Sequence, residues 1–115
     1  MDARTKRLWE LYRLTPDQYD LILAFQGGAC AISGRLPGKQ RLNVDHDHKS
    51  GLIRGALSPW INKGLSFFDD DPYLLRRAAD YLENPPAVTA LGLKVFGLIG
   101  RAKRKRVMVY GGGLS

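Results

Sequence analysis

Five consecutive residues, Val44-Asp45-His46-Asp47-His48, put two imidazoles and two carboxylates into one short stretch. Sixteen residues beyond His46 stands Asn62. Hard oxygen donors such as Asp45 and Asn62 suit Mg²⁺ or Mn²⁺, with water and a phosphate oxygen completing the shell. An imidazole beside them, His46, can take the proton from an attacking water. Phosphodiester hydrolysis needs those parts: a cation on the scissile phosphate, a base for the water and support for the leaving oxygen. The plain alternative is a polar loop whose side chains cap turns. Which reading holds depends on the elements that carry these residues.

Residues 41–46 alternate apolar and polar as a short strand does, and 51–57 read as its partner, with turn chemistry at Asp47 to Gly51 between them. Ser58-Pro59 then reads as an N-cap and a proline at the first helical position, opening a helix to about Phe68. Folding the hairpin back on that helix buries Val44, Leu52, Ile53, Ile61 and Leu65, and brings the end of the first strand opposite Asn62. A carboxylate, an imidazole and an amide oxygen then converge.

The remaining elements are helical. Leu8, Leu11 and Tyr12 recur at helical spacing. Thr15-Pro16-Asp17-Gln18 is a capping box that opens a helix over 16–26, and Gly27-Gly28 ends it. Asp69-Asp70-Asp71 ahead of Pro72 reads as an N-cap with helix-dipole support, opening a helix to Glu83 whose stripe of Leu74, Leu75, Ala78, Tyr81 and Leu82 faces the core. Pro85-Pro86 ends the body, leaving residues 1–86 as one domain and 87–115 as an extension. The apolar run that opens this extension reads as a strand, an arm on a second subunit, or a loose tail.

Charge separates the same two parts. Residues 1–84 hold twelve basic and eleven acidic residues, whereas residues 85–115 hold six basic residues and no acid. A cationic end suits a polyanion, most often nucleic acid, and the bland alternative is a solubilising tail. No run is long enough to span a bilayer. The first ten residues lack the apolar stretch of a signal peptide, so a cytoplasmic location is expected, that of the host cell for a phage-encoded chain. One cysteine, Cys30, excludes an intrachain disulfide and a cysteine-built zinc site, and reads as a small buried apolar residue. Trp60 reads as core or as a contact surface.

Several motifs together resemble one family. They are Leu14-Thr15-Pro16 to Tyr19, Gln26-Gly27-Gly28 through Gly34, Val44 to His48, Gly51, Arg54-Gly55, Asn62, Leu65, and Asp71-Pro72 through Leu82. The run from Leu14 to about Pro86 resembles the phage recombination endonuclease VII family, a branch of the HNH (ββα-metal) nucleases. The resemblance implies an α+β fold: a small HNH domain with a β-hairpin packed on a helix, flanked by helices. It implies Asp45 and Asn62 as metal ligands, His46 as general base and His48 as a second active-site residue. Family members cut branched or mismatched DNA, often as intertwined dimers, so DNA and a second copy are the implied partners. Many members hold a structural zinc through two C-x-x-C pairs. Here those positions read Cys30 and Ser33, then Ser58 and Ile61, so no structural zinc is expected. Apolar packing around Cys30, Ile32, Trp60 and Ile61 is expected to hold what a zinc would clamp.

The resulting expectation is a DNA endonuclease dependent on Mg²⁺ or Mn²⁺, with catalytic His46 and His48 and metal ligands Asp45 and Asn62. Asp47 shapes the loop. Arg54, Lys63, Arg101, Lys103, Arg104, Lys105 and Arg106 are the expected DNA contacts. The alternative is a non-catalytic DNA-binding module on the same scaffold.

Overall fold

The computed structural model describes residues 1–98. They form, in order, α1 (Ala3–Tyr12), α2 (Pro16–Phe25), β1 (Asn43–His46), β2 (Ile53–Leu57), α3 (Pro59–Phe67), α4 (Pro72–Glu83) and α5 (Pro86–Leu91). The fold is α+β, with β1 and β2 paired antiparallel. The chain divides into two compact units, the first ending at Asp70 and the second opening at Asp71. The division falls ahead of α4, whereas the sequence reading sets a boundary after Pro86. Prolines punctuate only locally, and Pro86 is the first residue of α5, in a stretch where no helix was expected.

In the first unit the helix ends are built as local chemistry dictates. Asp2 caps α1, its carboxylate accepting from the Thr5 N–H at 2.7 Å. The capping box of α2 is complete: the Gln18 N–H donates to Thr15 Oγ1 at 3.1 Å, and the Thr15 N–H donates to Gln18 Oε1 at 2.9 Å. Gly27 and Gly28 end α2 with positive φ values of 71° and 76°. Their N–H groups donate to the Ala24 and Leu23 carbonyls, the pairing of a Schellman motif.

Two apolar clusters hold the unit. Leu8, Leu14, Tyr19 and Val44 form one, and Cys30, Leu42, Ala56 and Leu57 form the other. Ile22 and Leu23 of α2 pack against both, so one helical face joins them. The Tyr19 hydroxyl donates to the Leu42 carbonyl at 2.8 Å, which ties α2 to the chain entering β1. In addition, α2 lies against β2 and α3 against β1.

Burial corrects several expectations. Leu52 is 65% exposed rather than core, because it precedes β2 at the hairpin tip. Ile32 and Trp60 are also exposed, so they do not pack about Cys30. Arg35 covers the Trp60 ring, with its guanidinium carbon 5.8 Å from the ring centroid. Ile61 and Leu65 do pack on the Cys30 cluster.

In the second unit Asp71 caps α4 as expected, accepting from the Tyr73 N–H at 2.9 Å. Of the stripe Leu74, Leu75, Ala78, Tyr81 and Leu82, only Leu75 and Ala78 are half-buried and none is buried. Amphipathic spacing gives a helix an apolar face but does not supply a partner for it.

Candidate active site

Strand register decides which way the DHDH residues face. Asn43, Val44 and Asp45 pair with Leu57, Ala56 and Gly55, but His46 pairs with Ile53. Arg54 is therefore an extra residue in β2, a β-bulge. Regular alternation would put Ile53 on the face of Asp45. The bulge instead lets Ile53 join Val44 in the first apolar cluster and frees Arg54 to turn to Asp45.

Asp45 is only 6% exposed. Arg54 holds it with two parallel bonds, Nε to Oδ2 at 2.8 Å and Nη2 to Oδ1 at 3.0 Å. The same Nη2 donates to Asp70 Oδ2 at 3.0 Å. These are charge-assisted, bidentate contacts, the strong kind. They hold the Arg54 guanidinium above its already high value, with the Asp45 bonds the main upward cause. Arg54, expected at phosphate, is shared between two carboxylates.

Asp70 arrives there through a strained helix end. The N–H groups of Asp69 and Asp70 donate to the Ser66 and Leu65 carbonyls, a second Schellman motif. Here aspartates replace glycine, with φ values of 56° and 54°.

His46 stands between two rings. Tyr12 lies 5.8 Å away at a tilt of 53°, and His48 stacks on it at 5.3 Å and 20°. His46 and Asn62 line one cleft of about 410 Å³, together with Val44 and Tyr12. Asp45 does not line that cleft, because alternation along β1 turns it to the other face. The structure thus brings two of the three expected groups together and sets the third behind them.

His48 is exposed beyond the strand end, and it shares a second depression with Arg54, Asp69 and Asp70. Asp47 shapes the loop: its Oδ1 accepts from the Lys49 and Ser50 N–H groups at 2.7 and 3.1 Å. Those two donors, Ser50 foremost, hold its carboxyl below the usual range. Lys63 is exposed on α3. Arg101, Lys103, Arg104, Lys105 and Arg106 lie outside the described residues.

Asp45 and Asn62 carry oxygen donors of the type a hard divalent cation takes, but Asp45 stands behind the cleft that Asn62 lines. Each Asp45 oxygen accepts one bond from Arg54 and keeps a second lone pair. Asn62 adds an amide oxygen. Among the described residues no three His, Cys, Asp or Glu side chains form a metal-binding group.

The four positions discussed for zinc still gather, with other chemistry. The Ser33 N–H donates to Cys30 Sγ at 3.4 Å. Ile61 packs on the Cys30 cluster. Ser58, expected to cap α3 through its hydroxyl, makes no such bond. Burial pushes the Cys30 thiol up, but the bonds from Ser33 and Ser58 outweigh it and bring it down to about 6.

Gln26 carries a role the sequence reading missed. Its Nε2 donates to the Ala29 and Ala56 carbonyls at 2.8 and 2.9 Å, and its Oε1 accepts from the Ala56 N–H at 2.9 Å. A side-chain amide thus pairs with both backbone groups of one β2 residue, as a neighbouring strand would. Its only sequence signal is a place at the end of a helix just before two glycines.

The model of the recombination endonuclease VII family matches residues 5–84. The chain belongs to that family. It is similar to the Gene 59 proteins of Mycobacterium phages D29 and L5, each 44% identical over 100 residues and covering 81% of this chain. The chain spans 61% of the length of these relatives. No solved structure matches it. Membership in this family of nucleases accounts for the residues matched from α1 to α4, including all of Val44 to His48 and Asn62. No helix among the described residues is long and apolar enough to cross a membrane.

Proposed function

We propose that this member of the endonuclease VII family is an HNH-type DNA endonuclease that hydrolyses phosphodiester bonds with Mg²⁺ or Mn²⁺. The observation that carries the reading is His46, which packs beside Tyr12 and His48 and lines one cleft with Asn62. In its neutral form His46 accepts the proton of an attacking water. Tyr12 and His48 pack beside its ring. His48, exposed and stacked on His46, would be the second active-site residue. Asn62, which lines the cleft, and Asp45, which lies behind it, would be the oxygen donors to the cation, which when bound would supply charge stabilisation at the phosphate.

A second reading is a DNA-binding module without catalysis. The observation behind it is that Arg54 occupies both Asp45 oxygens while Asp45 stays outside the cleft. Nicking of supercoiled plasmid separates the two. Cleavage that needs Mg²⁺, stops in EDTA and falls by about 10² to 10⁴ in His46→Ala supports the nuclease. Binding without nicking in any divalent metal supports the module.

A further inference from the structure

The cleft that His46 and Asn62 share has a cationic wall. Arg4 and Arg7, one turn apart on α1, line it, and so does Arg41, two residues before β1. No carboxylate lines it. Among the described residues the ion pairs join Lys6 to Glu10 and Arg54 to Asp45 and Asp70, and none engages these three arginines. Arg7 and Arg41 are exposed and Arg4 is half-buried.

Arg4 is also held in place. Its guanidinium carbon lies 5.3 Å from the centroid of the Tyr19 ring. That ring is buried, and its hydroxyl is bonded to the Leu42 carbonyl. Burial pushes the Tyr19 hydroxyl up against the opposing pull of both Arg4 and Arg41, so the two cations stand near one ring although they come from different parts of the chain.

Three like charges around one cleft repel each other, and no side-chain anion in the cleft offsets them. An arriving polyanion relieves that repulsion. Guanidinium groups match phosphate oxygens with two parallel N–H donors, and they stay charged at every working pH. Residues three apart on a helix are neighbours, so Arg4 and Arg7 present their forks side by side.

We infer that Arg4, Arg7 and Arg41 form the phosphate-binding wall of the catalytic cleft and grip the DNA backbone beside the phosphate presented to His46. This rests on the nuclease reading for the role of His46, but the grip itself needs no catalysis. The wall belongs to the body of the domain and is separate from the basic run at 101–106.

The test uses the full chain carrying His46→Ala and a short fluorescent duplex, without divalent metal, titrated across a salt series. Each duplex phosphate contact adds about 0.9 to the log–log salt slope. Arg4→Gln, Arg7→Gln and Arg41→Gln together should make the slope shallower by up to about 2.7. Arg7→Gln alone, at an exposed position, should lose about 0.9. Replacing all three by lysine should restore most of the slope, because charge alone releases counterions. A melting curve on each variant identifies any that fail to fold. An unchanged slope in folded variants overturns the wall, even if the wild-type chain nicks plasmid. A slope that falls as expected, in a chain that never nicks DNA, keeps the wall and removes the nuclease reading instead.

Discussion

Removing the Gln26 side chain should cost more than its half-buried position suggests. Gln26→Ala deletes three hydrogen bonds at once. Ala56 is 1% exposed, so its N–H cannot turn to water for a replacement. An orphaned buried N–H costs roughly 1–3 kcal/mol, and two further neutral bonds contribute about 1 kcal/mol each. The Ala56 carbonyl keeps a bond from the Ala31 N–H, which limits the loss. The total is about 3 kcal/mol, a large part of the roughly 5–15 kcal/mol that stabilises a typical domain. Urea unfolding followed by tryptophan fluorescence measures it. Gly55 supplies a second test, because a Cβ there would meet Gln26 Oε1 at 3.0 Å. Gly55→Ala should therefore destabilise the wild type but cost much less once Gln26 is alanine, a coupling that a double-mutant cycle reads directly. Gln26→Glu should lose more stability near neutral pH than in mild acid. An ionised oxygen would replace Nε2 in front of two carbonyls, so the folded variant binds a proton more tightly than the unfolded one and its stability falls as pH rises. A Gln26→Ala loss below about 0.5 kcal/mol, or additive effects at the two positions, would refute the role assigned to this amide.

The aspartates at the end of α3 should respond in opposite ways. Asp69→Gly should stabilise by about 0.5–1 kcal/mol in urea unfolding, since it relieves a left-handed residue whose side chain makes no hydrogen bond or ion pair. Asp70→Gly should show no such gain, because the same relief is offset by loss of the Arg54 contact. Asp47 should titrate below the ordinary carboxyl value of 3.8 when followed by NMR. Its folded-state value is depressed, so its contribution is present above the unfolded value and disappears as pH falls through the folded one. Asp47→Asn keeps the Oδ1 acceptor but should flatten that acid limb of the stability curve.

The helix starts and stops were legible in the sequence. Thr15 with Gln18, Pro16, Gly27-Gly28, Pro59 and Asp71-Pro72 all act where their types suggest. The reason is range: a cap or a turn is settled among residues two to five apart, and the chain carries that chemistry wherever it goes. The sequence reading set His46 and Asn62 together, and both line one cleft. Tertiary structure decided what depends on partners far along the chain. The bulge at Arg54 made its guanidinium a bridge between Asp45 and Asp70. Strand alternation then left Asp45 on the opposite side from His46. Ser58 makes no cap bond, and Gln26 found both backbone groups of a residue thirty positions away. The arginines of the cleft were visible only as scattered charges until Tyr19 and the entry to β1 brought them together. Register and side-chain packing are set by which surfaces meet, and no local run of residues encodes that meeting by itself.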